Sequence, residues 1–386
     1  MDKYFINEDK QSLDECIYCH SFCKSACPSF DISGNDCFLP RSISYFYSLL
    51  KKRDIEITEN LVKIFYSCTA CSLCEINCVY DNKDFINNIV KIRSEIFEHH
   101  RNLIPENVLE IINNLNKSGN IFCSTDTAID KKQFKSVPGS ENVFFPGCII
   151  KYKLPGFLED MAKFLAENRI KFNFIGDELC CGAPYLFAGD IKSAIKKTME
   201  LKDEIKNCNA KNLIMFCPAG YDYINNWCKK LGVDIGARVI FYTDFLNDAL
   251  KKTVKKINAL QEQAGSRTAA KTSNIFFLEA PEFRNEMQIN KSAKDIILGL
   301  KNTGNSRFIR ENNFYANCGG VLNYFKNEDI KKFVNDIIHK AGLAKCDYIV
   351  TVSPICYHYL KEHPGGIEVK ELLRYLIGQI KINDNK

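Results

Sequence analysis

Eight cysteines in two short runs constrain this chain more than any other feature. Cys16, Cys19, Cys23 and Cys27 read C-x2-C-x3-C-x3-C-P, and Cys68, Cys71, Cys74 and Cys78 read C-x2-C-x2-C-x3-C. Thiolates at gaps of two and three residues can close on one small cation-rich centre without straining the backbone. Two such runs side by side are the usual way a pair of cubane iron–sulfur clusters is written into a sequence. Electron transfer is the first function this suggests.

Composition narrows the alternatives. The 386 residues predict two to three domains, each large enough for its own core. Hydrophobic residues at 46% and charged residues at 26% are ordinary for a soluble globular protein. The formal net charge of +5 is small and spread along the chain, so it does not argue for nucleic acid. Reading the nineteen cysteines as structural disulfides would require an oxidising compartment that nothing in the sequence indicates. The stretch Met1 to Gln11 is polar and lacks a signal peptide's apolar core. No apolar run approaches the roughly 18 residues of a membrane helix. A cytoplasmic location is expected, compatible with peripheral attachment at the inner face of the cell membrane.

Three regions separate along the chain. Residues 1–112 hold both cysteine runs and helical spacing at Ile43, Phe46, Tyr47 and Leu50, with a further helix expected over Phe85–His99. A polar connector covers about 113–140, and a second, charged and then small and polar, about 251–273. The segments flanking the second connector, 141–250 and 274–380, repeat each other. Asn142-Val143-Phe144-Phe145 aligns with Asn274-Ile275-Phe276-Phe277. Cys180-Cys181-Gly182 aligns with Asn317-Cys318-Gly319, and Phe216-Cys217-Pro218 with Val352-Ser353-Pro354; the offsets are 132, 137 and 136 residues. Each unit is expected to open on a short strand. A helix (Gly156–Asn168), the Cys-Cys-Gly turn, a second helix (Ile191–Asn207) and a buried strand (Asn212–Cys217 or Asp347–Val352) then follow. The fold class is therefore α+β and multidomain: a helical two-cluster ferredoxin domain, then two duplicated α/β units with mostly parallel sheets. Cys148, Cys217 and Cys356 fall at carboxyl ends of strands, where ligands gather in such sheets.

In two-cluster ferredoxins the fourth cysteine of each run ligates the other cluster. Applied here, Cys16, Cys19, Cys23 and Cys78 hold one cubane, and Cys68, Cys71, Cys74 and Cys27 the second. The gap from Cys19 to Cys23 is one residue longer than usual and admits a helical turn. Zinc also uses four thiolates, but draws two from each of two knuckles, whereas each run here supplies four. His20 reads as a surface residue or a neighbour of the ligands, and His358 as structural. Cys37, Cys123, Cys208, Cys228 and Cys346 read as small hydrophobes.

At these residues the chain resembles a known family. Pro40-Arg41-Ser42-Ile43 resembles the stretch after the first motif in iron–sulfur subunits of glycolate oxidase. Phe144-Phe145-Pro146-Gly147-Cys148, Cys180-Cys181-Gly182-Ala183-Pro184 and Cys217 resemble the cysteine-rich "CCG" domain. That domain occurs in the same glycolate oxidase protein and in the corresponding subunits of anaerobic glycerol-3-phosphate dehydrogenase and of heterodisulfide reductase. The family motif has five cysteines; the first unit keeps four, with Gly220 at the fifth place. The second unit has Ala280, Asn317 and Ser353 where three would stand, and keeps Cys318 and Cys356. The resemblance implies a third iron–sulfur cluster on Cys148, Cys180, Cys181 and Cys217, with a lesser contribution from Cys318 or Cys356. It implies an FAD-containing dehydrogenase partner oxidising glycolate, D-lactate or glycerol 3-phosphate, with electrons passing to quinone, a membrane-associated acceptor or another carrier. No G-x-G-x-x-G is present, so the chain itself is expected to bind neither FAD nor NAD. The rival expectation is a heterodisulfide-type thiol–disulfide reductase acting at the CCG site.

Overall fold

The computed structural model describes residues 10–81, 84–124, 137, 139–175, 179–247, 273–280, 287–299, 307–308, 327–362 and 365–384. The first part is all helical: α1 (Lys10–Tyr18), a 3-10 turn (Phe22–Ala26), α2 (Pro28–Ser33), α3 (Pro40–Lys52), α4 (Glu59–Ser67), α5 (Leu73–Ile76), α6 (Phe85–His99) and α7 (Glu106–Ser118). Pro28 and Pro40 open α2 and α3, where a missing N–H costs nothing and the fixed φ favours the helix. Thr58 caps α4, its hydroxyl accepting from the Leu61 N–H at 3.3 Å. The 3-10 turn begins inside the long gap between Cys19 and Cys23, where a helical turn was expected.

Helix α6 spans the expected residues and is buried along Ile86, Ile89, Val90, Ile92 and Ile96. Helix α7 runs through Ser118, so the start of the expected polar connector is helical. Val108, Ile112 and Leu115 recur at helical spacing and are buried, while the Asn and Lys residues between them lie to the outside. The second connector, and Asn317, Cys318 and Gly319, lie outside the described residues apart from Ser273.

Two small sheets follow. Strands β1 (Asn142–Phe145), β2 (Asn173–Phe174), β3 (Asn212–Met215) and β4 (Arg238–Phe241) form one, in the order β2-β1-β3-β4. Strands β5 (Ile275–Leu278), β6 (Arg307–Phe308), β7 (Tyr348–Thr351) and β8 (Glu368–Glu371) form the other, in the order β6-β5-β7-β8. Every pairing is parallel. The central strands are near-continuous apolar runs, as burial on both faces requires. In the first sheet the connections are α8 (Gly147–Lys153), α9 (Pro155–Glu167), α10 (Ala183–Ala188) and α11 (Ile191–Asn207), with α12 (Pro218–Asp222) after β3. Strand β3 ends at Met215, two residues before the expected Cys217, because Cys217 is already the N-cap of α12.

A buried polar contact joins the two sheets. The Tyr242 hydroxyl, just past β4, donates to Glu371 Oε1 at the end of β8. Glu371 Oε2 accepts from the Leu373 N–H at 2.8 Å, capping the final helix Leu372–Asp384. Burial pushes the Glu371 carboxyl up to about 7, against the hydrogen bonds that favour its charged form. The folded state therefore holds this proton more tightly than the unfolded chain, where the carboxyl has its ordinary value of 4.5. This contribution is fully present below pH 4.5 and is lost as pH rises toward 7. Urea unfolding at pH 5 and pH 7.5 should show wild type losing up to about 3 kcal/mol more than Glu371→Gln over that interval. Equal slopes for the two proteins would contradict this assignment.

Candidate metal centres

The helical part brings the thiols of the two runs into two groups. The first holds Cys16, Cys19, Cys23 and Cys78: burial pushes the Cys16 thiol up to about 12, and Cys23, Cys78 and Cys19 add to the rise. The buried Ser44 hydroxyl nearby works the other way. Burial likewise pushes Cys23 up to about 11, with Cys19 and Cys78 beside it. The second group holds Cys27, Cys68, Cys71 and Cys74. Burial raises Cys27, with Cys68, Cys71 and Cys23 adding to the rise, and raises Cys74, with Glu75, Cys23, Cys68 and Cys71 adding to it. Cys23 thus borders both groups. The backbone bends sharply to achieve this, with left-handed φ of 60° at Ser21, 50° at Ala70 and 63° at Ser72, all non-glycine residues beside or between cysteines.

The chemistry of both groups fits a cluster. Dry, mutually repelling thiols are poor anions alone but become thiolates outright when a cation-rich centre displaces their protons. Among the described residues no three His, Cys, Asp or Glu side chains converge as on a single metal ion. Cys16, Cys19, Cys23, Cys74 and Cys78 line a pocket with Phe22, Val79 and Tyr80. Tyr18, Phe22, Val79 and Tyr80 are exposed around this outer group. His20 is exposed and stacks edge-on to Phe22.

A third group of thiols stands at the carboxyl ends of β1 and β3. Cys148 lies at the start of α8, Cys180 and Cys181 directly before α10, and Cys217 before α12. Burial raises the Cys148 thiol, followed by Cys217 and Cys181, while the Ile149 N–H holds it back. The hydrogen bond that the Cys181 thiol donates to Cys180 raises Cys181 most, with burial next, and the Ala183 N–H opposes them. The Gly182 N–H donates to Cys180 Sγ at 3.4 Å. Gly182 has φ +99°, and a Cβ there would stand 2.7 Å from the Tyr223 ring, so the turn admits only glycine. At Gly220 a Cβ would lie 3.4 Å from Cys181 Sγ, so the missing fifth cysteine would have faced this group.

The second sheet contributes no such group among the described residues. Cys356 lies on the helix Pro354–Glu362, which packs against α8, but it is disulfide-bonded. Tyr359 of the same helix stands within electrostatic reach of Cys148. His358 is buried against Tyr359, its Nε2 3.5 Å from Glu362, which is a structural setting. Sequence reasoning treated Cys228 as a plain hydrophobe. It is fully buried but joins Thr198 and Tyr223 in a network behind Cys181.

Sequence reasoning also missed the residues that join the thiol groups. Arg93 on α6 is wholly buried and donates to Phe65 O at 3.2 Å, Cys68 O at 2.5 Å and Phe187 O at 2.9 Å. Tyr66 donates to Ala188 O at 2.8 Å. The end of α4, which leads into Cys68, is thereby fastened to the end of α10, which starts from Cys180-Cys181-Gly182.

This layout, two crossed four-thiol groups in a helical unit and a third at a Cys-Cys-Gly turn, marks an iron–sulfur protein. Known families agree: residues 12–82 match the one described as 4Fe-4S dicluster domain, and residues 142–222 the one described as Cysteine-rich domain, CCG. The chain accordingly carries a 4Fe-4S dicluster domain followed by a CCG domain, the combination its sequence resemblance implied.

Among curated proteins it is 23% identical over 238 residues to a subunit of Fumarate reductase (CoM/CoB) from Methanothermobacter marburgensis, a match covering 59% of the chain. It is 24% identical over 273 residues to a subunit of Dihydromethanophenazine:CoB–CoM heterodisulfide reductase from Methanosarcina acetivorans, covering 62% of the chain. The chain spans 44% and 64% of these relatives' own lengths. No described helix is long and apolar enough to cross a membrane.

The junction between the thiol groups tolerates no added atom at Gly189. Its φ is +97°, and a Cβ would stand 2.3 Å from Arg93 O, a backbone atom of α6. Gly34 has φ +63° with open space around it. Gly34→Ala should cost about 1 kcal/mol in urea unfolding, the left-handed penalty alone. Gly189→Ala should cost about 3 kcal/mol or more, because backbone must move. Equal costs would show that α6 and α10 are not held this closely.

Proposed function

We propose that this chain is the electron-relay subunit of a multi-subunit oxidoreductase. It takes electrons from a flavoprotein partner that oxidises a 2-hydroxy acid or glycerol 3-phosphate, and delivers them toward quinone or another carrier. Cys16, Cys19, Cys23 and Cys78 would hold one [4Fe–4S] cluster and Cys27, Cys68, Cys71 and Cys74 the second. Cys148, Cys180, Cys181 and Cys217 would hold a third iron–sulfur cluster. Bound clusters supply reversible one-electron transfer, tuned by burial, hydrogen bonds to sulfur and local charge. The matching strand orders of the two sheets favour the reading of 141–250 and 274–380 as copies of one unit, the second depleted of ligands.

The observation that carries this reading is the position of the inner thiol group. It touches the outer group at Cys23 and is fastened through Cys68, Arg93 and Phe187 to the helix that follows the Cys-Cys-Gly turn. The protein's own task is to keep that series short and dry. The exposed apolar side chains round the outer group suit contact with a partner.

A second reading is favoured by the names of both relatives, each of which refers to CoM and CoB. On this reading the Cys148 group works on a thiol–disulfide couple supplied from outside. Dithiol-linked reductase activity of the anaerobically purified chain alone would select it over the relay.

Iron and acid-labile sulfide analysis, with EPR of the reduced protein, tests the cluster assignment. Anaerobically prepared wild type should hold about twelve irons per chain and Cys148→Ser about eight. A colourless protein holding zinc would refute the relay. Unchanged iron in Cys148→Ser would leave the third site without its ligand.

A further inference from the structure

Arg93 carries a positive charge that the cluster assignment does not by itself account for. The guanidinium is 0% exposed, and its donors go to the carbonyls of Phe65, Cys68 and Phe187. Its flat face lies over the Tyr66 ring at 5.1 Å. All of these partners are neutral groups. Among the described residues no carboxylate pairs with it, and the acidic groups that bear on its charge are Cys68 and Tyr66. Carbonyls at the ends of two helices give partial compensation. An arginine sealed from water nevertheless needs a net negative neighbour, because desolvating an unpaired ion is costly.

We propose that Arg93 is the internal counter-ion of the cluster on Cys27, Cys68, Cys71 and Cys74, and that it raises the reduction potential of that cluster selectively. The inference rests on the relay reading given above. Four thiolates outweigh the positive charge of a [4Fe–4S] core, so the loaded site is a net anion, and one further electron makes it more so. A fixed cation behind one ligand stabilises the reduced form more than the oxidised form. The guanidinium sits behind Cys68 in a water-free setting, where its field is weakly screened. The outer group has no comparable neighbour among the described residues: Arg41, which lines its pocket, is exposed and donates to Ile17 O at 3.1 Å, where solvent screens it.

The same contacts give the effect a direction. Arg93 also donates to Phe187, on the helix after the Cys-Cys-Gly turn. The potential is therefore raised at the inner group, and an electron arriving at the solvent-facing group is drawn inward to the cluster beside the third site. A staple that merely joined the two parts would explain the hydrogen bonds but not why a permanently charged residue stands where neutral donors would serve.

The test uses the full chain, purified anaerobically, with iron content determined and each N-terminal cluster followed by EPR in a redox titration. Arg93→Gln keeps hydrogen-bond donors and removes the charge; Arg93→Lys keeps the charge and loses the fork. Arg93→Gln should shift the reduction equilibrium of one N-terminal cluster at least tenfold toward the oxidised form, about 59 mV for one electron. The other cluster should stay unchanged, and Arg93→Lys should retain most of the wild-type midpoint. A midpoint unmoved in Arg93→Gln at wild-type iron content overturns the proposal, as does an equal displacement in Arg93→Lys. Should Arg93→Gln lose that cluster altogether, retention at wild-type midpoint in Arg93→Lys supports the charge, and loss or a displaced midpoint there overturns it. A wild-type chain without iron would refute the relay reading itself, which separates the two failures.

Discussion

The structure depends on bringing sulfur atoms from distant stretches of chain to common centres inside protein. Cys27 and Cys68 lie 41 residues apart in the sequence, yet they belong to one group. Loop closure on that scale is held by packing: Ile43 and Tyr47 of α3, Val62 and Phe65 of α4 and Ile89 and Val90 of α6 belong to one buried cluster. The thiols gathered in this way are pushed toward their protonated forms by burial and by one another. That balance suits a site which a metal cluster completes and which empty thiols would leave polar and crowded.

The same packing joins a helical unit to a parallel-sheet unit across buried backbone carbonyls. Helix α4 ends where the second cysteine run begins, and α10 begins where the Cys-Cys-Gly turn ends. Both leave carbonyls without intrahelical partners at their C-terminal ends. Arg93 and Tyr66 satisfy several of them at once, across 94 and 122 residues of sequence respectively. Close approach then demands glycine at 189. One contact region thereby satisfies the helix ends, fixes the spacing of two thiol groups and places a charge beside one of them.

Much of this was legible in the sequence. The cysteine spacings singled out eight N-terminal positions as candidate ligands, and α6 and α11 span the residues expected of them. Boundaries shifted where a local competitor won: α7 extends into a polar-looking stretch because three spaced apolar residues are enough to bury one face. β3 stops short of Cys217 because that residue caps a helix. Arg93 was visible in a weak sense. It falls on the apolar stripe of α6 with Ile86, Ile89, Val90 and Ile96, where a charged residue is out of place unless something pairs with it.

By itself the sequence determined the kind of chemistry, because thiolate spacing is a local property and a run of cysteines with gaps of two and three can serve few purposes. It also determined the strand–helix alternation of the second part, through the period of its apolar residues. Only the tertiary structure decided which thiol group faces solvent and which lies against the neighbouring unit. It alone put Arg93, Tyr66, Tyr223, Tyr359 and Cys228 within reach of these groups. Those are relations between residues tens to more than a hundred positions apart. They follow from how helices pack once the core forms, and no local pattern encodes them.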